Sequence, residues 1–345
     1  MKIFFDVSGG DYPFEAIKGV LLALNNIKDL TAIIAGKEEF IKESLEQLTK
    51  QKQFANYDKE RLVIIGCTEE ITNDDKPTDA IRTKKDSSIV KGFDMLKNDT
   101  EVIAFVSAGS TGAILTGGFM KIGRIRGVSR PATCPILPTE AGTPVLLMDS
   151  GANMDCKPIN LLHFAIMASK YYEVMFDKKE PRIALASVGV EEEKGNELVK
   201  QTLPLIKQLP INFVGNMESR DLISGNYDAV ITDGFAGNVM LKSTEGSVAI
   251  VVKMIKNALK NGSLCAKIGG LLIKNTLKNM LKSFDYTNYG GAPLLGIKKI
   301  VIKAHGDSKA KSFLKCAEQA IKLYNSGCYE AIENEVAKIN LEIEE

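Results

Sequence analysis

The sequence predicts an α/β protein, a mostly parallel sheet flanked by helices on both faces. Three observations carry this reading. Short β-branched runs recur along the chain, each closes on a glycine or polar turn, and each is followed by a longer stretch with helical spacing. Strand, helix, strand in repetition needs crossover connections, and such crossovers return each strand parallel to the last.

Taken in order, the strands are expected at residues 3–7, 32–35, 62–65, 102–107, 145–149, 183–187, 212–214, 229–232 and 300–303. Helices are expected between them at 14–26, 37–48, 87–97, 159–176 and 193–208, the last ending at the turn before Pro210. No repeat or low-complexity linker interrupts this order, so residues 1–345 read as a single large α/β domain. One segment departs from it. Residues 247–284 hold seven lysines, among them Lys253, Lys256 and Lys260, and no acidic residue. Apolar side chains such as Leu259, Leu264, Leu271 and Leu272 are interleaved with them. Gly262 and the pair Gly269 and Gly270 are expected to divide this basic amphipathic excursion into at least two short helices. Such helices lie on an anionic surface or an acidic partner, or else pack into a core or dimer interface with the lysines outside. The glutamate-rich tail, 330–345, reads as a solvated terminal helix.

Composition excludes several classes. The 44 Lys and Arg balance 43 Asp and Glu, which leaves no global nucleic-acid signature. The six cysteines form no CxxC pair and only two histidines are present, so neither a zinc cluster nor a dense disulfide framework is expected. No bound metal or cofactor is expected either. The apolar run at the amino end is too short for a signal sequence, and no stretch is long enough to span a bilayer. Reduced thiols in a cytoplasmic protein, in peripheral contact with a membrane at most, fit best.

Ligands of open α/β sheets bind beyond the carboxyl ends of the strands, and there the chain concentrates its polar and glycine residues. Asp6, Gly9, Gly10 and Asp11 follow the first strand, Ser107 and Gly109 the fourth, and Asn153 the fifth. Lys194 and Asn196 follow the sixth, Asn216 the seventh, Asp233 and Asn238 the eighth, and His305 and Gly306 the last. These positions are expected on one rim. The turn from Ser107 to Gly112 reads as an anion cradle or as a tight structural turn. Arg82, Lys84 and Lys85, and separately Arg124, Arg126 and Arg130, are candidate anion partners or solvated charges. Lys194 stands out because a lysine at a helix start opposes the dipole, and a residue placed against local preference hints at function. Asn238 could present a neutral donor to an oxyanion, or be a turn and cap. His163 lies in an apolar run and reads as a core residue, whereas His305 could be an acid, a donor or a turn residue. Cys134 and Cys156 read as packing residues.

In this order the strings resemble the bacterial phosphate acyltransferases of the PlsX family over about residues 1–330. The carrying residues are Asp6 with Gly9, Gly10 and Asp11; Asp75, Lys76 and Pro77; Ser107 with Gly109; Gly151, Ala152 and Asn153; Glu191 to Asn196; Gly215 and Asn216; Asp233, Gly234 and Phe235 with Gly237 and Asn238; Tyr289 to Gly296; and Lys303 to Gly306. Tyr12 departs from the pattern, because the family usually has histidine there.

The resemblance implies transfer of a long-chain fatty acyl group from acyl carrier protein to inorganic phosphate, giving acyl phosphate for phospholipid synthesis. It implies a homodimer with a fold similar to phosphotransacetylases and isopropylmalate dehydrogenases. It also implies peripheral contact with an anionic membrane through the lysine-rich segment, and supply of a downstream glycerol-phosphate acyltransferase. Phosphate is already a nucleophile and a thioester already has a good leaving group, so the site needs an anion cradle, an oxyanion donor and help for the departing thiolate rather than a covalent nucleophile. Lys194 is expected to steer phosphate and stabilise carbonyl charge, with Asn238 donating a hydrogen bond to substrate. Two other readings keep the fold: a phosphotransacetylase-like enzyme acting on short acyl-CoA, and a non-catalytic membrane or carrier-protein scaffold.

Overall fold

The computed structural model describes residues 1–283 and 289–344. Phe284, which closes the basic segment, and Glu345, the last tail residue, lie outside the described residues.

Two sheets form, where the strand pattern suggested one. The first runs β3 (Leu62–Gly66), β2 (Thr31–Gly36), β1 (Lys2–Asp6), β4 (Val102–Ser107), β12 (Ile300–Lys303), β11 (Ala292–Leu295), β5 (Ala132–Thr133). Its first five strands are parallel, while β11 pairs antiparallel with both β12 and β5. The second runs β6 (Ile136–Pro138), β7 (Pro144–Met148), β10 (Ala229–Ile231), β8 (Ile183–Ser187), β9 (Phe213–Glu218), parallel except at β6. The strands missing from the sequence pattern are β5, β6 and β11, runs of two to four residues in which no alternation can register.

Period-two alternation sends β1 to both sides of its sheet. Ile3 and Phe5 join the core under α1 (Pro13–Asn26) and α10 (Ala310–Asn325). Phe4 joins the opposite core, where its ring lies 5.8 Å from Phe105, itself 4.8 Å from Phe93 of α4 (Ser88–Asn98). Burial on both faces is what a parallel sheet between helices demands. The first of these cores also takes in Leu146, Ile183 and Ile231 of the second sheet. Helix α6 (Pro158–Phe176) packs on β7 and β10 of the second sheet and is buried over most of its length. His163 lies there as a core residue, its Nδ1 accepting from the Ser129 N–H at 3.0 Å.

The remaining helices are α2 (Glu38–Thr49), α3 (Pro77–Thr83), α5 (Thr111–Gly117), α7 (Glu197–Ile206), α8 (Gly234–Asn261), α9 (Leu264–Ser283) and α11 (Cys328–Glu344). Three expectations need correction. The basic segment forms two long helices: the break falls at Gly262, but Gly269 and Gly270 lie inside α9, where Leu259 of α8 packs beside Gly270. The tail helix is docked rather than solvated, burying Ile332, Val336 and Ile339. Finally α7 starts at Glu197, after Lys194, so Lys194 occupies no helical turn and the dipole argument for it lapses.

Candidate active site

The ends of β1, β4 and β12 meet in one knot. Asp6 is fully buried, and its carboxylate accepts from the N–H groups of Ser8 and Gly9, from Ser88 Oγ at 2.7 Å and from Ser107 Oγ at 2.6 Å. Ser107 Oγ in turn accepts from the Gly109 N–H at 2.9 Å. A Cβ on Gly9 would lie 2.5 Å from Gly109 N, so the turns after β1 and β4 approach as closely as backbones can. Gly10 has φ of +86°, and the Asp11 N–H reaches the Gly306 carbonyl at 2.8 Å. Asp6 and Ser107 were expected to touch ligand. Their polar atoms are engaged within the protein, so they hold the turns in place, and direct contact does not follow from this geometry. Tyr12, beside the knot, is exposed, its ring 5.6 Å from Lys309 Nζ.

A second knot joins β7 and β10. Asp149, buried, accepts at one oxygen from Thr133 N–H, Thr133 Oγ1 and Ser150 N–H, and at the other from Asn153 N–H and Nδ2. Burial pushes its carboxyl up from the ordinary range, and the Asn153 and Thr133 donors pull it back. The Asn153 amide also donates to the Pro131 carbonyl at 2.8 Å. Asp233 caps α8 through the Ala236 N–H at 2.8 Å. Asn238, in the second turn of that helix, is exposed and passes beside Gly151.

Between the two knots lies a cavity of about 670 Å³. Of the expected site residues, Gly109, Asn238, His305 and Gly306 line it. Its lining includes the apolar Ile136, Leu137, Ile223, Leu241 and Val248. It also includes Lys242, Glu245, Lys303 and His305. Lys242 pairs with Glu245 at 2.8 Å, and His305 Nδ1 lies 2.7 Å from Asp307 Oδ1. Ser150, 8% exposed, lines the wall with a hydroxyl that has no partner among the described residues. Sequence reasoning passed over Lys303, Lys242 and Ser150 as site residues. A lysine closing a strand looks solvated in a sequence, whereas here burial brings the Lys303 amine down to about 8.

The other candidates fall elsewhere. Lys194 is exposed in the loop after β8, its stem against Gly189, and does not line the cavity. Asn196 caps α7 through the Val199 N–H at 3.0 Å. Asn216 is 6% exposed; its amide donates to the Glu191 carbonyl at 3.0 Å and so ties the Lys194 loop to β9. Lys84 is bound to Asp75 and the Glu70 carbonyl, Arg124 to the Ser129 carbonyl and Arg130 to the Asp155 carbonyl, so each has a local structural partner. On α8 and α9, Lys253, Lys256 and Lys260 are exposed together with Leu264, Leu271 and Leu272, the last two at 71% and 80%. Leu259 differs: it is half-buried against Gly270 and serves the helix pair. Among the described residues no helix is long and apolar enough to cross a membrane.

A family model described as fatty acid synthesis protein matches residues 1–331. A phosphate acyltransferase of Thermoanaerobacterium thermosaccharolyticum is 47% identical over 99% of this chain and 99% of its own length. One from Alkaliphilus oremlandii is 44% identical over 98% of each. Among solved structures, a phosphotransacetylase from Streptococcus pyogenes superposes with a TM-score of 0.58 at 18% identity, covering 94% of both chains. A branched-chain phosphotransacylase from Enterococcus faecalis V583 gives 0.56 at 14% identity, over 94% of this chain and all of that one. At these identities the structural likeness speaks for the α/β fold alone.

Proposed function

The chain belongs to the fatty acid synthesis protein family, and from that premise and its phosphate acyltransferase relatives we propose that it moves a long-chain fatty acyl group from acyl carrier protein to inorganic phosphate. The observation that carries the reading is a single cavity whose lining joins aliphatic side chains for an acyl chain to Lys242 for an anion. Phosphate attacks the thioester carbonyl directly, and Asn238 in the cavity wall donates to the developing oxyanion. Lys194, outside the wall, steers phosphate from the end of the neighbouring strand. Residues 1–345 work as one unit, because the lining comes from both sheets.

The exposed leucines and lysines of α8 and α9 support peripheral contact with an anionic membrane from the cytoplasm. A homodimer and hand-over of acyl phosphate to a glycerol-phosphate acyltransferase complete the proposal. The test is release of thiol from purified palmitoyl-acyl carrier protein with and without phosphate, with hydroxylamine trapping the acyl phosphate. Phosphate-dependent release with trapped product is the expected result. Release without phosphate would make the protein a thioesterase, and turnover of acetyl-CoA in preference to the palmitoyl donor would favour short acyl groups.

A further inference from the structure

Lys303 ends β12, where its pairing with Ser107 of β4 sets it at the floor of the cavity. Its Nζ donates to the carbonyl of Ala108 at 3.3 Å and to the carbonyl of Ala304. An ammonium has three N–H donors and an amine two. Both carbonyl bonds therefore persist in either state, and the third position, left for the cavity, holds a proton in one state and a lone pair in the other. Such a group gains and loses a proton without losing its anchorage.

We propose that Lys303 is the general acid of the transfer, a catalytic residue that protonates the departing sulfur. The inference rests on the acyl-transfer reading above. Phosphate oxygen bonds to the acyl carbon, the carbon–sulfur bond breaks with its electron pair on sulfur, and the Nζ proton moves to sulfur to give the thiol. The amine then takes the remaining proton of the phosphate group, so hydrogen phosphate and thioester become acyl phosphate dianion and thiol with nothing left over.

The surroundings suit the task. Burial lowers the amine to about 8, Cys316 of α10 and Asp6 act against that, Lys242 of α8 acts with it, and Asp11 acts against it. Glu245 and His305 face the same space. An ordinary alkyl thiol titrates near the same value, about 8.5, and proton transfer is most effective between such matched groups.

The experiment compares two acyl donors on the full chain: palmitoyl-acyl carrier protein, whose alkyl thiolate needs a proton, and the palmitoyl thioester of thionitrobenzoate, whose thiolate does not. Lys303→Met is expected to lower kcat about 100- to 1,000-fold on the first donor and less than about tenfold on the second, with KM for phosphate within about twofold. Equal losses on both donors, or a loss confined to KM for phosphate, would overturn the assignment. The unsubstituted protein supplies an independent readout should the variant not fold. The acid must hold its proton, so kcat on the alkyl donor is expected to fall as pH rises through about 8 and to stay level on the aryl donor. A level profile on the alkyl donor up to about pH 9.5 would overturn it. Absence of phosphate-dependent turnover in the unsubstituted protein would instead defeat the acyl-transfer reading, and the inference with it.

Discussion

Asn238 is an amide in the cavity wall, so it can donate to an oxyanion at any pH at which the protein stays folded. Asn238→Ala is expected to lower kcat about 100- to 1,000-fold with little change in KM, the usual loss for one oxyanion donor; an unchanged kcat would remove it from the mechanism. Lys194→Ala is expected to lower kcat for phosphate transfer with folding intact, and steady-state rates matching the parent would remove Lys194 in the same way. Gly9→Ala presses a methyl against Gly109 and is expected to cost about 1–3 kcal/mol of stability, read from denaturant midpoints. These turns were legible in the sequence because glycine and aspartate after a strand announce a constrained loop. What escaped was the division of labour. Asp6, Ser107 and Asn153 have the residue types of ligand contacts, yet Asp6 and Ser107 bond each other and nearby N–H groups, and Asn153 bonds Asp149 and the Pro131 carbonyl. Asp149 and Lys303 became informative only once burial could be seen.

The long elements were readable and the short ones were not. A strand such as β4 declares itself by six consecutive buried residues, whereas β5, with two, is defined only by the partner it finds in β11. The paired helices α8 and α9 show the same limit from the other side, since Gly270 looks like a breaker until the helix packed on it is in view. Substituting Lys253, Lys256 and Lys260 together by Glu is expected to weaken binding to anionic vesicles by about a hundredfold or more, at roughly 1 kcal/mol per basic residue near the surface. Turnover on soluble donor should persist. Vesicle co-sedimentation reads the first, and retention of the variant on vesicles would exclude these helices as the contact. Leu137→Trp fills part of the aliphatic wall formed by β6 and α8, and is expected to favour short acyl donors over palmitoyl in kcat/KM.

At the scale of the whole molecule, the thiols report which parts of the chain are buried. Cys67, Cys134, Cys316 and Cys328 are buried, Cys156 is half-buried and Cys265 is exposed on α9. Burial also pushes the Cys67 thiol up to about 11 and Cys156, Cys316 and Cys328 up to about 12. A thiol reagent near pH 8 is therefore expected to label one cysteine rapidly in the native protein and all six after unfolding. Protection of Cys265 by anionic vesicles would place α9 against them. The two ends of α8 lie in different worlds: Asn238 lines the cavity, while Ile250 and Met254 stand in solvent at 60% and 64% exposure. The helix between is unbroken over 28 residues, a rod of about 42 Å. On the reading proposed above, the membrane-facing turns and the oxyanion donor therefore stand on one continuous helix.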